Sequence, residues 1–276
     1  MKIKYLGTGA AEGIPALFCH CRVCENARKQ KGKEIRTRAQ AMIDGEILFD
    51  FGPDTYMHFL QNDLDLAAVG LCLVTHTHGD HFFIDDLRMR CGGFAVYEEE
   101  IPPLFVYGSS EVEAFFAREE NRDITKDGRV VFQKLAPFEE RIYKEYTITA
   151  LPACHGTAEP FFYLVRREDR ALLYAHDTDV FQEEVWEYLQ GLGRKLQLVS
   201  MDCTEGIRPM NYVGHMNLER NFAVRDRMLR MGIGDENTVF AASHFSHNGH
   251  ISYLQAQNPE IRKGMVIAWD GMELQV

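Results

Sequence analysis

The run Val69-Gly70-Leu71-Cys72-Leu73-Val74 carries no polar side chain, and it ends abruptly at Thr75-His76-Thr77-His78-Gly79-Asp80-His81. An apolar stretch of this kind suits a strand covered on both faces, hence an inner strand of a layered α/β domain. The tract at its end is more constraining still: three imidazoles and a carboxylate fall within six positions, 76–81. On extended backbone His76 and His78 point to the same side, which makes them half of a zinc-type site. Asp80 and His81, beyond the bend, can reach the same cavity from its other wall. Exposed loop histidines beside a helix-capping Asp80 would be the ordinary alternative, and such a density of ligands after a buried strand argues against it.

The rest of the chain supplies the layers. Strands are expected over residues 2–6, 40–43 and 46–50, with Asp44-Gly45 as a tight hairpin turn. Further strands fit 69–75, 104–107, 147–151, 161–166, 171–175, 196–201, 238–242 and 265–269. Helices fit 111–119, 182–192, 218–231 and 253–257, and Ile84 and Leu87 recur at helical spacing behind Asp80 as N-cap. Paired strands first and alternating strands and helices later predict an α/β domain with mixed sheets, read as one domain over 1–276. The 46% hydrophobic content suffices for a sizeable core.

Charge and cysteine usage narrow the partners. A net charge of −11 disfavours nucleic acid, because neutralising phosphates needs a basic face. The one basic stretch, 22–38, also holds Glu25 and Glu34 and reads as a solvated helix face. With no apolar leader at the start and no run of about 18 apolar residues, neither secretion nor a membrane span is expected, and the cytoplasm is the expected compartment. Seven cysteines then read as metal ligands and buried thiols rather than disulfides. Three of them form Cys19-His20-Cys21-Arg22-Val23-Cys24, whose sulfurs can wrap one face of a tetrahedral zinc. The fourth ligand would be His20 or the distant His247, three residues after His244. Cys72, Cys91, Cys154 and Cys203 read as packing residues, Cys154 as oxidation-sensitive, and His58 as an ordinary surface residue.

His76, His78, Asp80 and His81 match without substitution the H-x-H-x-D-H hallmark of the metallo-β-lactamase superfamily, which the chain resembles. The later ligands of that superfamily have counterparts in the expected order: His155 in Leu151-Pro152-Ala153-Cys154-His155, Asp177 in His176-Asp177-Thr178-Asp179, and His244. Asp50 resembles its early supporting acid. The resemblance implies a four-layered αββα sandwich with two divalent metals, zinc, manganese or iron. His76, His78 and His155 would hold one and Asp80, His81 and His244 the other, Asp177 would bridge them, and a hydroxide held between them would attack. His176 and Asp179 are expected to face away.

The Cys triplet, His247 and Gly214-His215-Met216 resemble more narrowly the phosphoribosyl 1,2-cyclic phosphate phosphodiesterases. That resemblance implies a structural zinc on Cys19, Cys21, Cys24 and His247, and His215 assisting the leaving group, with Asp80 orienting the attacking hydroxide. The implied function is hydrolysis of a small cyclic phosphate ester. A tRNA 3′-end-processing nuclease and a lactonase or thioesterase of the glyoxalase type are the alternatives, and a homodimer is left open. Gly7-Thr8-Gly9-Ala10-Ala11-Glu12-Gly13 fails the dinucleotide fingerprint, because Glu12 replaces its third glycine, and reads as a turn passing close to the metal cavity.

Overall fold

The computed structural model describes residues 1–276. Its first half starts as a meander of β1 (Lys2–Gly7), β2 (Gln40–Ile43) and β3 (Ile47–Phe49), followed by parallel strands β4 (Leu71–Leu73), β5 (Leu104–Gly108) and β6 (Val130–Lys134). The second half repeats the plan: β7 (Glu140–Tyr143), β8 (Tyr146–Pro152), β9 (Phe161–Arg167) and β10 (Arg170–Ala175) run antiparallel, and β11 (Leu198–Asp202), β12 (Val239–Ser243) and β13 (Val266–Ile267) are parallel. The last strand, β14 (Glu273–Gln275), returns to pair with β1. Two seven-stranded sheets result, ordered β14-β1-β2-β3-β4-β5-β6 and β13-β12-β11-β10-β9-β8-β7.

Alternation along each strand sorts the side chains into three cores. In β4, Leu71 and Leu73 enter the core between the sheets while Cys72 enters the one outside the first sheet. In β9, Phe161, Tyr163 and Val165 face inward and Phe162 and Leu164 face outward. Phe49 of one sheet stacks on Tyr174 of the other with ring centroids 4.1 Å apart, a contact that contributes about 1 kcal/mol beyond burial. The outer cores are closed by helices. Val112 and Phe116 of α4 cover the first sheet, and Val185, Trp186 and Leu189 of α5 and Val224 and Met228 of α6 cover the second (α4, Ser110–Ala117; α5, Glu183–Gly191; α6, Leu218–Arg230). The layering is therefore αββα, as expected. No helix is long and apolar enough to cross a membrane.

Asp44 and Gly45 both take positive φ, 52° and 74°, which gives the predicted hairpin the twist its strands need. Other expectations change. His58 is fully buried in α2 (Thr55–Asn62), with its ring bonded to Thr37 Oγ1 at 2.7 Å and Gln40 Oε1 at 2.6 Å. A polar partner on each ring nitrogen replaces its water, so burial is tolerated, and it pushes the imidazole down to about 4. Asp80 caps no helix: the short helix behind it, Ile84–Leu87, begins after Phe83 without a side-chain cap. The basic stretch is not uniformly solvated. Arg36 is buried, donating to Thr8 Oγ1 and the Ala268 carbonyl, each at 2.7 Å, and lying over the Phe245 ring. Glu34 is buried too, accepting from the Tyr253 and Leu254 N–H groups. Cys72, Cys91 and Cys203 pack inside, whereas Cys154 is half-buried.

The topology also fixes where loops collect. Strands alternating in an antiparallel meander put β1 and β3 in one direction, and β4 is parallel to β3; likewise β8, β10, β11 and β12 share a direction. The segments that leave these strands meet along one edge of the sandwich, the usual place for a site in sheets with parallel strands.

Candidate metal centre

Three of the strand ends at this edge place an acid or imidazole on left-handed backbone: Asp50 after β3 (φ 64°), Asp177 after β10 (φ 49°) and His244 after β12 (φ 59°). Such conformations cost non-glycine residues of order 1 kcal/mol and turn the chain sharply enough to aim the side chain across the edge. Asp50 then fastens the His tract. Its carboxylate accepts from Thr75 N–H at 2.8 Å, from the Thr75 hydroxyl, and from His81 Nδ1 at 2.7 Å. Phe51 N–H donates to the His81 carbonyl and Phe83 N–H to the Phe51 carbonyl. Gly52 permits the approach, because a Cβ there would overlap the Asp80 carbonyl oxygen.

The ring nitrogens converge in two groups. His78 Nδ1 lies 3.0 Å from His76 Nε2 and 3.1 Å from His155 Nε2. Thr75 Oγ1 on His76 Nδ1 and the Gly214 carbonyl on His155 Nδ1 leave both Nε2 atoms free for a metal. The second group is Asp80 Oδ2, His81 Nε2 and His244 Nε2, with His81 Nε2 at 3.2 Å from Asp80 and 3.3 Å from His244. Asp177 stands between the groups. Its Oδ2 is 2.8 Å from His81 Nε2 and 2.9 Å from His244 Nε2, and its Oδ1 is 3.7 Å from His155 Nε2.

The donor set fits cations. Asp177 Oδ2 is buried and makes no hydrogen bond, although two imidazole nitrogens flank it; an orphaned carboxylate oxygen facing converging ring nitrogens is the geometry of a ligand sphere. Electrostatics agree. Burial and neighbouring imidazoles hold His76 well below its ordinary value, and burial lowers His155, which keeps both neutral, as ligation requires. Burial opposes charge on Asp177 and Asp80, yet the imidazoles of His244 and His81 respectively keep both carboxylates well below the usual range. Burial also opposes charge on His244, and Asp177 and Asp202 outweigh it, pushing the group up to about 10. The cluster calls for positive charge at its centre.

His215 joins this group, its Nδ1 bonded to Asp202 Oδ2 at 2.9 Å and 3.7 Å from Asp177 Oδ1. Asp202 is a site residue that the sequence reading misses. It is fully buried at the end of β11 and accepts from Thr204 N–H, Thr204 Oγ1 and Met216 N–H as well as His215, with His244 Nδ1 3.4 Å away. Its only signal in the sequence is position, an acid closing a stretch, Leu198–Met201, that is apolar except for Ser200. His176 and Asp179 point elsewhere, to Ser200 Oγ at 2.8 Å and to Arg220 at 2.6 Å. A cavity of about 310 Å³ opens over His78, Asp80, His155, Asp177, His215 and His244, with Ala10, Ala11 and Glu12 of the first loop on its wall. A separate apolar cavity of about 340 Å³, lined by Leu48, Phe51 and Leu104 among others, holds none of these ligands.

A second constellation lies nearby. The sulfurs of Cys19, Cys21 and Cys24 and the ring of His247 come within 4.8 Å of one another, with His247 Nδ1 at 3.5 Å from Cys19 Sγ and 3.6 Å from Cys21 Sγ. His20 instead reaches outward to Glu25 at 2.8 Å. Cys21 precedes helix α1 (Arg22–Gln30) and Cys24 sits in its first turn, buried, accepting from the Ala16 N–H at 3.3 Å while burial pushes its thiol up to about 12. Burial raises Cys21, but the Cys24 N–H and the neighbouring ligands bring it down to about 7. His244 and His247 thus serve two clusters from one short loop.

Comparison with known proteins bears on the fold and the family. A family profile described as a beta-lactamase superfamily domain matches residues 46–231. Ribonuclease Z of Shouchella clausii is 29% identical over 171 residues, 62% of this chain and 49% of that protein. An octanoyltransferase of Porphyromonas gingivalis is 36% identical over 107 residues, 36% of this chain and 21% of that protein. The chain spans half or less of the length of these relatives. Among solved structures, a diphosphatase from the PhnP family covers 100% of this chain and 97% of its own, with a TM-score of 0.74 and 20% identity. Zn(2+)-bound PqqB from Methylobacterium extorquens covers 100% of both chains, with a TM-score of 0.69 and 16% identity. These two likenesses are of fold, and the profile match extends over most of the chain: it belongs to the metallo-β-lactamase superfamily, a family of metal-dependent hydrolases.

Proposed function

We propose that this hydrolase is a phosphodiesterase acting on a small cyclic phosphate ester, with two divalent cations on His76, His78, His155, Asp80, His81, His244 and Asp177, and a structural zinc on Cys19, Cys21, Cys24 and His247. The observation that carries the reading is His215: its Nδ1 is locked on Asp202, its Nε2 has no partner in the chain, and the ring lines the same cavity as five of the seven ligands, His78, Asp80, His155, Asp177 and His244. When bound, the cations supply Lewis-acid charge to the phosphoryl group and bring the pKa of water toward about 7.

The side chains do the rest. Asp80 is placed to accept a hydrogen bond from the attacking water and so to orient it. Burial works against a proton on His215, while the Asp202 carboxylate, then that of Asp177, raises its proton affinity. The protonated ring is thereby favoured over that of a free histidine, and its Nε2–H is placed to give a proton to the departing sugar oxygen. Asp202 is a positioning residue: it fixes the ring and stabilises its charge, and takes no proton itself.

The ribonuclease Z relatives favour one second reading, a nuclease acting on RNA ends. A panel of bis-aryl phosphate, a cyclic ribose phosphate, pre-tRNA, a lactone and a thioester separates the two. The proposal expects turnover of the first two substrates and a large loss in His215→Ala with metal content retained. Exclusive cleavage of pre-tRNA, or of the carboxylic substrates, would overturn it.

A further inference from the structure

Beyond the metal ligands and His215, the wall of the catalytic cavity is made by Glu12, Thr204, Glu205, Tyr212, Ser246 and Asn248, with the Ala10-Ala11 backbone beside Glu12; no lysine or arginine lines it. The donors among these residues are already directed at the carboxylates. Ser246 Oγ and Asn248 Nδ2 both donate to Glu12 Oε1 at 3.2 Å, which leaves Glu12 Oε2 without a partner in the chain. The Tyr212 hydroxyl donates to Glu205, and Thr204 donates to Asp202. Glu205 is buried, so its charge acts through protein rather than through water. The nearest cations are already engaged. Arg38, behind the first loop, is bonded to Asp54 at 2.7 Å and to the Ala11 carbonyl at 2.8 Å. Arg208 lies outside Glu205 and is paired with it at 3.4 Å.

We infer that Glu12 and Glu205 determine specificity: the part of the substrate that carries the phosphodiester is a neutral, hydroxyl-rich group such as an unphosphorylated sugar, and a second phosphoryl group is rejected. This rests on the phosphodiesterase reading and narrows it. Hydroxyl groups match the acceptors that the wall presents, and hydrogen bonds to a carboxylate are stronger than those between neutral groups. A dianionic phosphoryl group on the same sugar would face Glu12, which no lysine or arginine pairs, and Glu205, whose one cation Arg208 is already committed to it, and such like-charge opposition discriminates as effectively as attraction does.

The test compares ribose 1,2-cyclic phosphate with the same ester carrying a 5-phosphate, using metal-loaded protein and bis-aryl phosphate as a probe of the chemistry alone. The unphosphorylated ester should have a kcat/KM about tenfold or more above its 5-phosphate. Added salt should narrow the gap by screening. Glu12→Gln and Glu205→Gln should each narrow it further, and the exposed Glu12 gives a variant whose folding is not at risk. Equal or better turnover of the 5-phosphate would overturn the inference. So would hydrolysis of bis-aryl phosphate with neither sugar ester turned over, which leaves the phosphodiesterase reading standing. Turnover of none of the three would overturn that reading as well.

Discussion

Asp202→Asn removes one charge from the site and almost no volume. Oδ1 accepts the Thr204 and Met216 N–H groups, both at 2.9 Å, so an asparagine would keep its carbonyl oxygen there and turn its NH2 toward His215. The imidazole then meets a donor in place of an acceptor, and its charged form loses a carboxylate partner. A hydrogen bond to a charged group is worth about 2 kcal/mol, or about thirtyfold in rate. The loss should depend on the leaving group. An ester with an alkoxide leaving group needs a proton from His215 and should slow by about this factor, whereas 4-nitrophenolate departs without one and should slow by about threefold or less. The assay is kcat over a series of phosphodiesters of increasing leaving-group pKa, with metal content measured on the same samples because Asp202 also approaches His244. Equal slowing across the series at full metal content would refute the assignment of His215 as the acid that Asp202 positions.

Three further outcomes are expected. Cys21→Ser should lower bound zinc by about one ion per chain and destabilise the fold, because a structural site contributes folding energy directly; unchanged zinc and melting would remove the cluster assignment. His58 has a folded value depressed to about 4, so it is neutral in both states above about pH 6.5. As the pH falls further the unfolded chain takes up the proton first, and stability drops by about 3 kcal/mol between pH 6.5 and 4. Denaturant titrations of wild type and His58→Gln should show that drop only in the wild type, and parallel pH dependence would contradict it. Gly52→Ala should force the Asp80 backbone away and cost about 1–3 kcal/mol together with loss of metal affinity; a variant with normal metal content would show that the contact is not needed.

Legibility in the sequence tracks burial. β4 can be read because both of its faces are covered, and the hairpin at Asp44-Gly45 because the turn chemistry is local. β6, β7 and β14 escape the pattern: they are edge or near-edge strands such as Glu140–Tyr143, whose solvent-facing residues blur the alternation. The candidate ligands His76, His78, Asp80, His81, His155, Asp177 and His244 can be picked out because each follows an apolar run, and the structure brings them into adjoining clusters. Asp202 has that position too, but an isolated acid after a strand is also how an ordinary turn begins. His58 and Arg36 mislead for a different reason. Their burial depends on partners far away in sequence, Thr37 and Gln40 for one and Thr8 and Ala268 for the other, which no local pattern announces.

On the proposed reading, one edge of the sandwich holds a metal pair and, beside it, a separate zinc. Elemental analysis of gently purified protein, wild type against Asp177→Ala and Cys21→Ser, tests it most directly. Wild-type protein should carry about three transition-metal ions per chain, with Asp177→Ala losing catalytic metal but keeping the Cys-bound zinc, and Cys21→Ser losing that zinc. Wild-type protein that retains no transition metal, or variants that lose all ions together, would contradict it.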